Sequence, residues 1–369
     1  MIYLDYAANH PVRKEVLEEF SKVETEFYGN AASLHALGQK SHQEYEDLNS
    51  KVLKLLNLNP EEYEVIYTSS ATESNNTAIK GIYDSYNGFG NALLASEYEH
   101  NSVNATLSYL KDKGADVALV KTGSDGKIDL SDLEEKLRQK QVILLCLTMV
   151  ESETGTIQDY KKVQELVSRY HCFLLLDATQ AIGKLPFDLN GIDLVTFTPH
   201  KFGGIIGTGV LIKKRSIILT PLLHGGKSAS LYRSGTTPLG LIASTEKALE
   251  LALEEREVHY NKVKELSDFL VSELKKDSRI MINSKGENPF IVNFSVKDVA
   301  GGTLVDYFSK NGICISQKSA CSLRNTPSKP VMAMYHDRKR ALESVRVSLS
   351  YLTRKEEIEE FLKVLKEYK

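Results

Sequence analysis

Lys201 stands in the stretch Phe197-Thr-Pro-His-Lys-Phe-Gly-Gly-Ile-Ile-Gly-Thr-Gly. An amine between an apolar run and a glycine-rich loop is well placed to form a Schiff base, and the glycines let backbone approach a ligand closely. Lone lysines are usually solvated surface residues. Thr198 and His200 raise Lys201 above that prior, because both can hydrogen-bond a phosphate. Asp177 ends the run Phe173-Leu-Leu-Leu-Asp and is followed by Ala-Thr-Gln. A carboxylate directly after four apolar residues needs a partner. It can pair with a pyridinium nitrogen, which turns an aromatic ring into an electron sink, and Gln180 can reach the same ligand. The plain alternative is a structural Asp that caps a helix.

Two more segments bear similar chemistry. In Tyr67-Thr-Ser-Ser-Ala-Thr-Glu-Ser-Asn-Asn, a turn of small hydroxyl residues opens a helix. Its first amides, with Thr72 as cap, can cradle a phosphate, although a simple N-cap box reads the same way. His100, in Ser96-Glu-Tyr-Glu-His-Asn-Ser-Val, can stack on a planar ring and move protons, or merely cap the helix that follows. Cys321 differs from Cys146, Cys172 and Cys314, which lie in apolar runs and read as core. It sits in the polar stretch Gln317-Lys-Ser-Ala-Cys-Ser-Leu-Arg-Asn-Thr-Pro-Ser, where Lys318 and Arg324 can lower its pKa.

The elements that must position these residues alternate. Apolar runs at 64–68, 92–95, 116–120, 142–149, 172–176, 195–197 and 209–212 read as strands. Helical patterns separate them at 73–83, 102–113 and 131–139, after a helical, charged region from Pro11 to Leu58. Such alternation predicts a mostly parallel α/β sheet, which binds ligands beyond the carboxyl ends of its strands. One or two long helices over 245–276 lead to a smaller α+β unit, with strands at 290–295, 313–316 and 344–349 and helices at 303–311 and from Lys355. The 369 residues suit two domains. A formal net charge of -3 gives no sign of direct nucleic-acid binding. Four cysteines without paired spacing predict neither a metal site nor a disulfide scaffold. The start has no signal-peptide pattern and the apolar runs are too short to span a bilayer, so no membrane association and a cytoplasmic location are expected.

In this order the segments resemble the class V aminotransferase fold family and, within it, the NifS/IscS-like cysteine desulfurases. The resemblance runs from Ile2-Tyr-Leu-Asp-Tyr-Ala-Ala through Tyr28-Gly-Asn-Ala-Ala-Ser-Leu-His, Glu153-Thr-Gly-Thr-Ile-Gln and Asp177-Ala-Thr-Gln-Ala-Ile-Gly-Lys. It continues to Arg233-Ser-Gly-Thr, Ser319-Ala-Cys and Val345-Arg-Val-Ser. It implies an α/β fold of the type I pyridoxal-phosphate (PLP)-dependent transferases. Residues 13–250 would form the large domain; 1–12 and 251–369 would form a small one carrying the Cys321 loop. Lys201 would hold PLP, His100 stack on its ring, Asp177 meet the pyridine nitrogen and Gln180 the ring hydroxyl. Ala71, Thr72, Thr198 and His200 would bind the phosphate. Thr236 would reach the phosphate of a neighbouring subunit, which implies a homodimer. Arg346 would bind the substrate carboxylate, near Ser152.

The implied reaction converts L-cysteine to L-alanine, leaves a persulfide on Cys321 and passes the sulfur to an acceptor protein. That acceptor would be an iron-sulfur scaffold or a sulfurtransferase of tRNA thiolation or thiamine synthesis. The Tyr28 and Ser152 stretches look closest to a Firmicutes-type subgroup that serves a tRNA-thiolating sulfurtransferase. Three positions depart from the usual pattern: Ser152 for Asn, Ser70 for Gly and Gly204 for Pro. Ser152 is expected to alter substrate contacts. The alternatives are another PLP enzyme of this fold, such as a selenocysteine lyase or an aminotransferase, and a non-catalytic dimeric scaffold for sulfur-relay partners.

Overall fold

The computed structural model describes residues 1–226, 230–318 and 326–368. The chain opens with strand β1 (Ile2–Tyr3) and helices α1 (Lys14–Glu26) and α2 (Ala36–Leu55). The expected alternation follows: β2 (Tyr63–Thr68), α3 (Ala71–Tyr86), β3 (Ala92–Ser96), α4 (Asn101–Asp112), β4 (Asp116–Val120), α5 (Leu130–Gln139) and β5 (Val142–Thr148). Helix α6 (Tyr160–Arg169) then leads to β6 (Phe173–Asp177), β7 (Leu194–Phe197) and β8 (Gly209–Lys214).

These strands form one seven-stranded sheet in the order β2-β8-β7-β6-β5-β3-β4. It is parallel except at β8, which runs antiparallel to both β2 and β7. Every residue of β5 is buried, as helices on both faces of a parallel sheet require. Cys146 and Cys172 lie in this core, as expected, whereas Cys314 is only partly buried.

The predicted long helical stretch resolves into α7 (Leu239–Glu254) and α8 (Arg256–Leu274), joined at Glu255. Helix α7 packs on α1 and α2, and α8 packs on elements of the C-terminal part. The expected boundary at 250/251 therefore falls within the last turn of α7, and the chain changes partners a few residues later. The C-terminal part contains β9 (Ile280–Ile282), β10 (Ile291–Val296), α9 (Gly301–Lys310), β11 (Ile313–Cys314), α10 (Lys329–Tyr335), α11 (Arg338–Glu343), β12 (Ser344–Ser348) and α12 (Lys355–Glu367). A three-stranded antiparallel sheet runs β12-β10-β9. Strand β11 pairs instead with β1, so the chain start is stitched to the C-terminal part. Cys314 lies on this narrow two-stranded ribbon, which accounts for its partial exposure.

Candidate active site

The residues singled out in the sequence converge at one end of the seven-stranded sheet. A cavity of 280 Å³ there is lined by Ala71, Thr72, His100, Ser152, Asp177, Gln180, Thr198, His200, Lys201 and Arg346. Ala7, Ala8, Tyr98 and Thr179, none of them assigned a role from sequence, also line it. Thr236 does not: it is an exposed residue in the loop before α7. Cys321 and Arg324 lie outside the described residues. The flanks of their segment are tied down, since Lys318 Nζ donates to the Thr326 carbonyl (2.7 Å) and Ser328 Oγ to Glu153 Oε2 (2.6 Å).

One end of the cavity is made by backbone. Ser70 caps α3, its hydroxyl accepting from Glu73 N (3.2 Å). The amides of Ala71 and Thr72, in the first turn, have no acceptor within the helix. Strand β8 passes so close to this turn that a Cβ at Gly209 would lie 2.2 Å from the Ser70 carbonyl carbon. Opposite, Thr198 donates to the Thr208 carbonyl (2.7 Å) and so must accept from His200 Nδ1–H (2.8 Å). That pattern assigns the His200 proton to Nδ1. Burial, together with the nearby Lys201 and Lys184, pushes the imidazole down to about 4.

The floor is built around Asp177. Its Oδ2 accepts from Asn75 Nδ2 (3.0 Å) and its Oδ1 from Thr179 N (3.0 Å). Among the described residues no cation forms an ion pair with it, although it is only 6 % exposed. Asn75 also donates to Ser102 Oγ (2.9 Å) and accepts from Thr196 Oγ1 (2.6 Å), so one buried amide ties three elements. Ser102 in turn holds His100: its backbone amide donates to His100 Nδ1 (3.1 Å). Nδ1 is thus an acceptor and the neutral ring carries its proton on Nε2. Burial lowers the His100 pKa and outweighs the attraction of Asp177, so the neutral form prevails. His100 thus caps α4 through Nδ1 while its ring lines the cavity. Beneath it, Glu99 accepts from Ser96 Oγ (2.6 Å) and Thr148 N (2.9 Å). Burial, then repulsion from Asp177 and Glu151, pushes its carboxyl up to about 8, so it stays protonated at neutral pH.

Lys201 Nζ donates to the carbonyls of Ala7 (2.9 Å) and Ala8 (2.6 Å). The chain start therefore forms one wall. At the remaining corner, Arg346 is 1 % exposed. Its Nη2 donates to Asp5 Oδ1 (2.7 Å) and its Nη1 to the Ser152 carbonyl (2.8 Å), while the buried Nε has no partner among the described residues. Asp5 Oδ2 accepts from Ser316 Oγ (2.7 Å). Position 152 thus holds the arginine through its main chain, a contact that does not depend on the side chain there.

The donor set fits PLP. A buried carboxylate lacking a counter-cation faces the same cavity as a lysine amine, a neutral imidazole and a helix N-terminus. These match, in turn, a protonated ring nitrogen, an aldehyde, a planar ring and a phosphate.

Comparisons with known proteins agree with this geometry. The family model for class V aminotransferases matches residues 2–361. The chain is 32 % identical over 370 residues to the cysteine desulfurase IscS of Dictyoglomus turgidum, covering 99 % of this chain and 93 % of that one. It is 34 % identical to a NifS/IcsS protein homolog of Lactobacillus delbrueckii subsp. bulgaricus, covering 98 % of this chain and 95 % of that one. Among solved structures, a NifS-like protein superposes with a TM-score of 0.91 at 31 % identity, covering 99 % of this chain and 98 % of that one. A structure of SspA in complex with cysteine superposes with a TM-score of 0.80 at 27 % identity, covering 95 % of this chain and 99 % of that one. By its matched length, its motifs and the sheet end on which they meet, the chain belongs to the class V aminotransferase family.

Proposed function

We propose that this protein is a PLP-dependent cysteine desulfurase that takes sulfur from L-cysteine onto Cys321 and hands it to an acceptor protein. The observation that carries the reading is the uncompensated buried Asp177 facing Lys201 across a cavity that ends in a helix N-terminus. The activity follows from relatives that share the whole chain length.

Bound PLP supplies an electron sink that stabilises carbanionic charge on the substrate. This chain's residues do the rest. Asp177, fixed by Asn75 and Thr179, keeps the ring nitrogen protonated. The free amides of Ala71 and Thr72, with Thr198 and His200, hold the phosphate. Phosphate binding favours the charged form of His200, reversing the effect of burial. His100 Nε2 would supply a movable proton inside the cavity, and Lys201 Nζ would exchange protons with the substrate carbon. Arg346 offers N–H hydrogens not already used by Asp5 and the Ser152 carbonyl to the cysteine carboxylate. Asp5 and the Ser152 carbonyl hold the guanidinium still while it does so. The Cys321 thiolate then attacks the substrate sulfur: a sulfur–sulfur bond forms as the carbon–sulfur bond breaks, and the electron pair of the broken bond stays on the substrate carbon, which takes a proton as alanine forms.

This reading assigns 13–250 to cofactor binding, and 1–12 with 251–369 to the part that carries Arg346 and Cys321. Exposed Thr236 suits a contact with a second subunit, in keeping with a homodimer. Among the described residues no helix is long and apolar enough to cross a membrane.

The test is Cys321→Ala. The variant is expected to keep the visible absorption of bound PLP and to lose sulfide release from cysteine by roughly a hundred-fold or more. Undiminished sulfide release would sink the persulfide step and favour another reaction of the class V family.

A further inference from the structure

A second buried lysine lies beside the site, and the mechanism above leaves it unused. Lys184 follows Gln180 by four residues, and a short turn of i-to-i−3 and i-to-i−4 backbone bonds (Ala181 N and Ile182 N to Ala178 O, Lys184 N to Ala181 O) brings the two onto one face. Lys184 is 9 % exposed, and among the described residues no carboxylate lies within ion-pair distance of its Nζ. A buried amine without a counter-charge is costly, and a methionine would fill the same space without that cost.

Its hydrogen-bond partner is informative. Lys184 Nζ donates to Gln180 Oε1 (2.9 Å), and Gln180 Nε2 donates to the Ala7 carbonyl (2.9 Å). A carboxamide has two orientations of nearly the same shape. In its charged form Lys184 is donor-only and a carbonyl oxygen is acceptor-only, so with Lys184 charged both neighbours demand the same orientation. The Ala7 carbonyl is also an acceptor for Lys201 Nζ (2.9 Å), which places the committed Nε2 beside the reactive amine. Lys184 and Lys201 also share the lining of a second, smaller cavity of 30 Å³ behind the site.

We infer that Lys184 is a positioning residue of the active site: it locks the Gln180 carboxamide with Nε2 toward the cofactor cavity and sets a second cationic group beside Lys201. This rests on the assignment of PLP to Lys201. With PLP bound, the second Nε2 hydrogen would be free to donate to a ring oxygen, and the neighbouring positive charge would disfavour protonation at Lys201 Nζ. Burial, then Lys201 and Arg346, push Lys184 itself down to about 7, so its charge is sensitive to what binds next to it. The other titratable groups facing it across the small cavity are His10, Arg13, His259, Tyr6 and Tyr351.

The experiment uses the PLP-loaded protein and reads the pH midpoint of its visible absorption band, together with the PLP dissociation constant. Lys184→Met is expected to raise the midpoint by about one pH unit, the size of one nearby charge removed. It is also expected to weaken PLP binding by roughly tenfold, and in a Gln180→Ala background to add little further loss of affinity. Lys184→Arg should restore the wild-type midpoint. Lys184→Gln keeps a donor toward Gln180 and drops the charge; it is expected to raise the midpoint with near-native PLP affinity, and it serves if the methionine variant does not fold. An unchanged midpoint in a folded, charge-free variant, or full additivity with Gln180→Ala, would overturn the inference. A wild-type protein that gains no visible band with PLP would instead overturn the cofactor assignment on which it rests.

Discussion

The two ends of the cavity are built by opposite means. At the phosphate end, Ser70, Ala71, Thr72, Thr198, His200 and Gly209 come from strand ends that are neighbours in one sheet, and backbone atoms do much of the work. At the carboxylate end, Asp5 meets Arg346 across a sequence separation of 341 residues, and side-chain charge does the work. The first end is held mainly by the sheet ladder and a helix cap, with the chain start touching it through backbone, His10 N donating to the His200 carbonyl (3.0 Å). The second exists only when the chain start is threaded onto β11 and β12. On the proposed reading, the difference predicts that cofactor binding depends mostly on the sheet and substrate binding mostly on the seam between chain start and chain end.

Asp177→Asn is the strongest way to test that separation, because it strikes the floor beneath both ends. It removes the charge that holds a ring proton while preserving shape. Sulfide release from cysteine should fall roughly a thousand-fold, about 4 kcal/mol in the barrier. The folded fraction should stay high. A loss below tenfold would mean that the floor does not tune the cofactor.

Asp5→Asn strikes the seam alone. It leaves a nearly inaccessible guanidinium without its counter-charge, a loss of about 3 kcal/mol in stability by analogy with other broken buried pairs. The KM for cysteine should rise roughly tenfold as Arg346 loses its alignment. Visible absorption of bound PLP should persist. Equal damage to PLP affinity and to KM would show that the two ends are not separable.

The smallest effect expected is a pH dependence located on the same seam. His10 is 5 % exposed, with Nε2 beside Ser350 Oγ (2.9 Å) and Nδ1 beside the Pro11 carbonyl (2.9 Å). Burial pushes its pKa down to about 4 from the ordinary 6.5. The unfolded chain therefore takes up a proton as pH falls below 6.5, and the folded chain does not until about 4. The contribution of His10 is full above the unfolded value and drains away as pH falls through that window. About 2 kcal/mol should go between pH 7 and pH 5. Urea unfolding of the wild type and of His10→Gln at the two pH values checks this: the variant should show the shallower slope. Identical slopes would remove His10 from the account.

Much of this site is legible in the amino-acid sequence. Lys201, Asp177, His100 and the Ser70–Thr72 turn each follow an apolar strand, and a parallel sheet gathers such strand ends by rule. Elements that depend on short or mixed patterns are not. Strand β9 and the pair α10–α11 are brief, and their neighbours rather than their own periodicity decide their form. The expectation that Cys314 lies in the core failed for a related reason, since an apolar run says nothing about whether its strand joins a wide sheet or a narrow ribbon.

What the sequence determined by itself was the alternation of elements, the chemistry available at each strand end, and the resemblance that orders them. Those follow from local propensity and side-chain type, which each residue carries wherever it lies. Only the tertiary structure decided that Asn75 secures both Asp177 and His100, that Asp5 holds Arg346, and that Lys184 commits the amide of Gln180. An asparagine in a helix, an aspartate near the chain start and a lysine after a glycine have no role until a distant partner is brought within about 3 Å in a dry interior. There an unmatched polar group costs free energy and a matched one fixes geometry.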